Sequence, residues 1–161
     1  TAAMETIGSG TEELSVMATG LNETVGIFRI QSALEQRLSD EELLKKAKSD
    51  HLLWKVRISN MISGLDRIAP ENVDPHTNCR LGRWYFSPEN PFENDEIFRN
   101  MDEPHKIVHD AARAAAEAWT RGDEAEARKQ FARLDKSSRK VIKGLDSLLK
   151  KVSRTERAKK E

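Results

Sequence analysis

Residues 104–120 read Pro-His-Lys-Ile-Val-His-Asp-Ala-Ala-Arg-Ala-Ala-Ala-Glu-Ala-Trp-Thr. Alanine is the strongest helix former, and a proline fits the first turn of a helix, where its missing N–H costs nothing. The stretch therefore predicts a helix over residues 104–120, with Pro104 at its start. Arg121-Gly122-Asp123 follows as a turn, Gly122 closing one helix and Asp123 capping the next. The helix beyond carries Ala127, Phe131, Leu134, Val141, Leu145, Leu148 and Val152 on one stripe.

Upstream the same period recurs. Ser39-Asp40-Glu41-Glu42 has the form of a capping box, with Ser39 as N-cap and Glu42 three residues on. Leu44, Ala47, His51, Trp54, Ile58, Met61, Leu65 and Ile68 then return at steps of three and four, and Pro70 is expected to close this helix. Residues 70–78 read as a loop. A short helix over 79–86 follows, then the breakers Pro88 and Pro91, then a second short helix over 92–101. Alternation of period two is found nowhere. The expected fold is all-α: an antiparallel four-helix-type bundle.

Residues 1–31 carry a heptad in which Met4, Thr11, Ala18 and Val25 alternate with Ile7, Leu14, Leu21 and Phe28. The pattern lasts four heptads, with Thr11 the one polar seam position, and reads as a dimeric coiled coil leading into the bundle. A single amphipathic helix lying on the rest of the protein gives the same spacing. The domain reading is thus coiled coil over 1–35, helical domain over 36–155 and frayed tail over 156–161.

Charge narrows the partners. Lys+Arg and Asp+Glu number 27 each, so the formal net charge is zero and nothing asks for nucleic acid or an anionic membrane. No apolar run approaches the ~20 residues that span a bilayer. The single cysteine excludes an internal disulfide framework. Without an export signal it reads as a reduced, cytoplasmic thiol.

Four histidines and that cysteine are the borderline and soft ligands of the chain. His105 and His109 are four apart on a helix, so both project from one face and can share a metal. His51 lies on the apolar stripe of its helix, facing inward. Cys79 opens a short helix that Leu81, Trp84 and Tyr85 pin against the bundle. Three imidazoles and a thiolate from three helices make a closed tetrahedral set, which favours zinc. Each residue also has an ordinary reading, a histidine on an apolar stripe as a hydrogen-bonded core residue and a lone cysteine as a small hydrophobe. His76, in a loop and off any stripe, reads as a surface histidine. The set also lacks a hydrolase's parts. Lys106 stands where a zinc protease's helix would carry its general base, and four protein ligands leave no position for a catalytic water. No enzymatic role is expected. Asp102, Glu103 and Asp110 can orient the imidazoles, or serve as solvated helix-end charges.

The segments His51-Leu-Leu-Trp54-Lys55, Cys79-Arg-Leu81-Gly82-Arg-Trp84-Tyr85 and His105-Lys-Ile-Val108-His109 together resemble the chemoreceptor zinc-binding (CZB) domain. The motifs stand in the family's order and span residues 51–118. Residues 11–30 resemble the returning helix at the C-terminal end of a methyl-accepting chemotaxis receptor's signalling coiled coil. On that reading Glu12 and Glu13 are candidates for methylation. The resemblance implies a homodimer with zinc held in each subunit by His51, Cys79, His105 and His109. It implies Cys79 as the redox-sensing residue, answering hypochlorous acid or zinc loss. It also implies transmission to a chemotaxis histidine kinase and coupling protein through the rest of the receptor. A purely structural zinc staple, or a zinc-level regulator of another output, is the competing expectation.

Overall fold

Ser39 caps the first helix as its sequence predicts. In the computed structural model of the chain, which describes residues 38–88 and 90–158, the Ser39 hydroxyl accepts from Glu42 N–H. The Glu42 carboxylate accepts from Ser39 N–H in return. This helix, α1, spans Asp40–Ile62. A single 3-10 turn, Pro70–Asn72, and two short helices follow: α2, Arg80–Tyr85, and α3, Glu96–Arg99. The Ala-rich stretch forms α4, Asp102–Thr120, and the last stripe forms α5, Glu124–Ala158. The expected all-α bundle is what forms, and no strand occurs among the described residues. The expected coiled coil over 1–35, with Glu12 and Glu13, lies outside the described residues. Helix α5 continues through Ala158, and the rest of the expected tail also lies outside them.

α1, α4 and α5 make the body of the domain. Three residues separate α4 from α5, so the two run antiparallel. Gly122 takes φ +78° at that turn, and the Asp123 carboxylate caps α5 through Glu126 N–H. Lys48 pairs with Asp146 and Lys55 with Asp135, which sets α1 antiparallel to α5 as well. These partly buried pairs, still in reach of solvent, fix register more than they stabilise. Stability comes from the stripe they flank: Leu44, Ile58, Met61, Leu134, Val141, Leu145 and Leu148 are buried, facing the small residues Ala111, Ala112, Ala115 and Ala116 of α4. Each large one contributes on the order of 1.5–3 kcal/mol. The alanines let the backbones of α4 and α5 approach closely.

Two boundaries differ from expectation. α1 ends at Ile62 rather than at Pro70, because Gly64 adopts φ +74° and Leu65 N–H turns back to the Asn60 carbonyl. Leu65, read as part of the stripe, is therefore exposed, while Ile68 is buried from the loop. α3 is four residues long where ten were expected. Asp95 caps it by accepting from Ile97 and Phe98 N–H. The preceding residues form turns held by the buried Asn90, which donates to the Trp84 carbonyl and accepts from Phe92 N–H.

Candidate metal centre

Every residue of the predicted set is placed by an element whose local chemistry is visible. His51 comes from the middle of α1, between the residues that pair with α5. His105 and His109 come from the first turns of α4, one turn apart. Cys79 is the N-cap of α2, its sulfur accepting from Gly82 N–H at 3.3 Å. α2 is held in turn by an aromatic cluster. The Trp84 indole donates to Asp40 at the start of α1 (2.9 Å), and Tyr85 stacks on Phe98 of α3 with ring centroids 4.0 Å apart. The Leu81, Trp84 and Tyr85 anchors expected from sequence act as anchors here.

The backbone between α1 and α2 closes over α4. His109 Nδ1 donates to the Asp74 carbonyl at 2.7 Å, and Arg113 donates to the Val73 carbonyl. Arg80 pairs with Asp50 of α1 at 2.9 Å, tying the cysteine's helix to the histidine's. Gly82 makes the approach possible. A Cβ at this position would stand 1.9 Å from the His76 carbonyl oxygen.

The result is convergence. One ligand-type atom from each of His51, Cys79, His105 and His109 lies within 4.8 Å of the others. The His105 Nε2–Cys79 Sγ separation is 3.3 Å. A tetrahedral zinc with bonds of ~2.0–2.3 Å would set its ligand atoms about 3.3–3.7 Å apart. One edge already has that length.

The donor set fits a cation on chemical grounds too. His51 Nδ1 donates to the Ala47 carbonyl at 2.7 Å, so that its Nε2 carries a lone pair. That Nε2 is buried without a hydrogen-bond partner. Such orphaned polar atoms cost free energy unless something satisfies them. Burial is the main cause holding the three imidazoles neutral. His105 is pushed down to about 2 by burial and then by the neighbouring histidines. His109 is pushed down to about 4 by burial, against its bond to Asp74. His51 is lowered by burial, against its bond to Ala47. Neutral imidazole is the form that binds metal. The Cys79 thiol goes the other way. Burial raises its pKa, opposed by the N–H groups of Gly82 and Leu81 and the charge of Arg83.

Access is one-sided. His105 is 1% exposed, whereas Cys79 is half-buried and, with His51 and His109, lines an open cleft of about 220 Å³ between α1 and the 74–83 segment. Asp74 and Arg83 line the same cleft.

His76 does not behave as the surface histidine its loop position predicts. It is partly buried, its ring lies edge-on to that of His105 at 5.6 Å, and its Nε2 is 3.7 Å from Asp102 Oδ1. The signal was its place three residues before Cys79. Without periodicity in the loop, that spacing carried no direction. Glu103 and Asp110 are exposed on α4, as solvated charges are.

Fold and site together make a helical domain with four convergent residues that could hold a metal ion, one of them a partly buried cysteine. Residues 51–116 match the family model of the chemoreceptor zinc-binding domain. No curated protein and no solved structure matches the chain.

Proposed function

We propose that this domain is a zinc-loaded sensory module of a bacterial chemoreceptor, with Cys79 as its responsive residue. The observation that carries the reading is the position of the sulfur. It belongs to the one residue of the four that is only partly buried, it stands 3.3 Å from His105 Nε2, and its residue lines an open cleft. His51, Cys79, His105 and His109 would hold the ion in a closed set. Bound zinc keeps a thiol deprotonated and so makes it nucleophilic at neutral pH. The chain's own part is then simple. The cleft would admit a small oxidant such as hypochlorous acid, which takes two electrons from the thiolate sulfur, gives it the hydroxyl of a sulfenic acid and leaves as chloride. The N-cap sulfur then loses its hold on Gly82 N–H and its place beside His105. α2 carries Arg80 and Trp84, both bonded to α1, so a shift of Cys79 bears directly on α1. Through α1 the signal passes to the rest of the receptor and to a chemotaxis histidine kinase with its coupling protein. The domain acts as a sensor and not as an enzyme, since a full protein donor set leaves no place for a substrate.

Two further features support this reading. Leu52, Leu53 and Val56 are exposed on one side of α1, an apolar patch suited to a second copy in a homodimer. No helix among the described residues is long and apolar enough to cross a membrane, which accords with a cytoplasmic placement.

The test is metal content per chain with Cys79→Ala alongside. One zinc per wild-type chain and a marked loss of affinity in the variant are expected. Hypochlorous acid should release zinc from the wild type in step with sulfenic acid trapped by dimedone. A wild type that stays folded yet takes up no zinc would overturn the metal reading. Zinc binding with no response of Cys79 to oxidant would leave a static staple.

A further inference from the structure

The three imidazoles of the site are not equally supported. His51 and His109 each have Nδ1 bonded to a backbone carbonyl, Ala47 and Asp74, both at 2.7 Å. Those bonds fix the tautomer and leave Nε2 for a metal, as ligating histidines generally require. His105 has Nε2 beside the Cys79 sulfur, facing the place of the ion; with Nε2 bound to a metal its proton would fall on Nδ1, and Nδ1 is buried with no partner. A second buried orphan lies close by. Asp102 Oδ1 is an acceptor without a hydrogen bond, three residues before His105 on the same helix. Residues at that spacing lie on one face of a helix. The remaining contact of this oxygen is His76 Nε2 at 3.7 Å, inside ion-pair reach and beyond a hydrogen bond.

In the metal-bound tautomer a buried donor and a buried acceptor, neither with a partner, thus stand one turn apart on α4. We propose that Asp102 is the positioning residue of the metal centre. In the loaded domain its carboxylate accepts from His105 Nδ1–H, while His76 flanks the same carboxylate from the loop that carries Cys79. The chain His76–Asp102–His105 would then give His105 the outer support that backbone carbonyls give the other two histidines. Rotation about the terminal torsion of Asp102 is soft, so its carboxylate is free to reorient when the site is loaded. Neither Glu103 nor Asp110 competes, both being exposed. The arrangement links two elements. The His76 carbonyl accepts from the Cys79 thiol at 3.4 Å, so one loop residue touches both the cysteine and the carboxylate behind His105. Asp102 is thus placed to relay a displacement of the cysteine loop to α4.

The inference rests on the metal-binding reading, and its test separates the two. Zinc affinity is measured by chelator competition on the full chain for wild type, Asp102→Asn, Asp102→Ala, His76→Gln and the exposed control Glu103→Gln. A wild type that binds no zinc defeats the metal reading itself. Given wild-type binding, loss of an outer partner should weaken affinity about 10–100-fold for Asp102→Ala. Asp102→Asn, which keeps an acceptor oxygen, and His76→Gln should lose less, and Glu103→Gln nothing. The readout that a merely structural role would not move is the His105 Nδ1–H resonance in the 15N-labelled zinc form. It should be protected from exchange in wild type and Asp102→Asn, and exchange rapidly in Asp102→Ala. Should Asp102→Ala fail to fold, Asp102→Asn and the wild-type resonance still decide. Wild-type affinity in Asp102→Ala overturns the proposal, as does a His105 Nδ1–H that exchanges freely in the wild type.

Discussion

At the scale of single residues, the protonation states around Cys79 are the sharpest handle on the site. Burial keeps His51, His105 and His109 neutral at pH 7, and burial also keeps the metal-free thiol protonated. Loading a divalent ion therefore displaces one proton, that of Cys79, and none from imidazolium. Calorimetry of zinc binding near pH 7.5 in buffers of differing ionisation enthalpy should report about one proton released per ion. Cys79→Ala should reduce that figure to near zero, and a release near zero in wild type would mean the thiol is no ligand. Gly82 bears on the same atom. A methyl there meets the backbone of residues 76 and 77 at 1.9 and 2.7 Å, which cannot yield as a side chain can. Gly82→Ala should cost about 1–3 kcal/mol and lower zinc affinity, because the turn that seats Cys79 must move. Gly144 is the instructive contrast. Its Cβ would meet the flexible Met101 thioether at 2.4 Å, so Gly144→Ala should be milder in urea unfolding. The four converging residues were legible in the sequence by type and spacing, and Asp102 as one of three acidic candidates beside them, whereas His76 and Gly82 matter through contacts that no periodicity encodes.

At the scale of elements, legibility followed the strength of the local signal. α4 and the turn after it were readable because alanine propensity, Gly122 and Asp123 all point one way. The end of α1 was not, since the apolar stripe runs on through Leu65 and Ile68 and Pro70 offers an obvious stop. Gly64 ends the helix instead, at φ +74°, with open space around its Cα. A stripe says which face is buried. It does not say whether the chain still winds. Nothing crowds a methyl at this position, so Gly64→Ala isolates the backbone effect. It should destabilise the domain by about 1 kcal/mol through the left-handed φ alone, lowering the urea midpoint with an unchanged slope. Zinc stoichiometry should be untouched, because α1 presents His51 three turns earlier. A stabilised variant would mean that α1 extends in solution toward the Pro70 the sequence points to.

For the whole molecule, the question is how far the fold depends on its site. The apolar stripe of α1, α4 and α5 runs well beyond the four convergent residues, so the helices have a core that needs no ion. The metal-free chain should therefore keep its helical circular dichroism, and its pH response should expose the buried imidazoles. Their folded pKa values lie below the ~6.5 of a free histidine. Below that pH the unfolded chain takes up protons that the folded chain refuses, and stability falls as pH falls. The stabilising contribution is complete above about pH 6.5 and declines below it. The decline continues past about 4 for His109 and further for His105, whose pKa is held at about 2. Carboxylates such as Asp135, held low by Lys55 and Arg139, add their own loss only in the more acidic range. The window from pH 6.5 to 5 thus belongs to the histidines. Thermal melts of the chelator-treated chain should show a midpoint dropping steadily across that window. His105→Leu should flatten the slope, by removing the most buried of the three while keeping an apolar side chain in the gap. A melting temperature constant from pH 7 to 5 would show that the imidazoles titrate freely, and the dry, preformed donor set described for this domain would have to be given up.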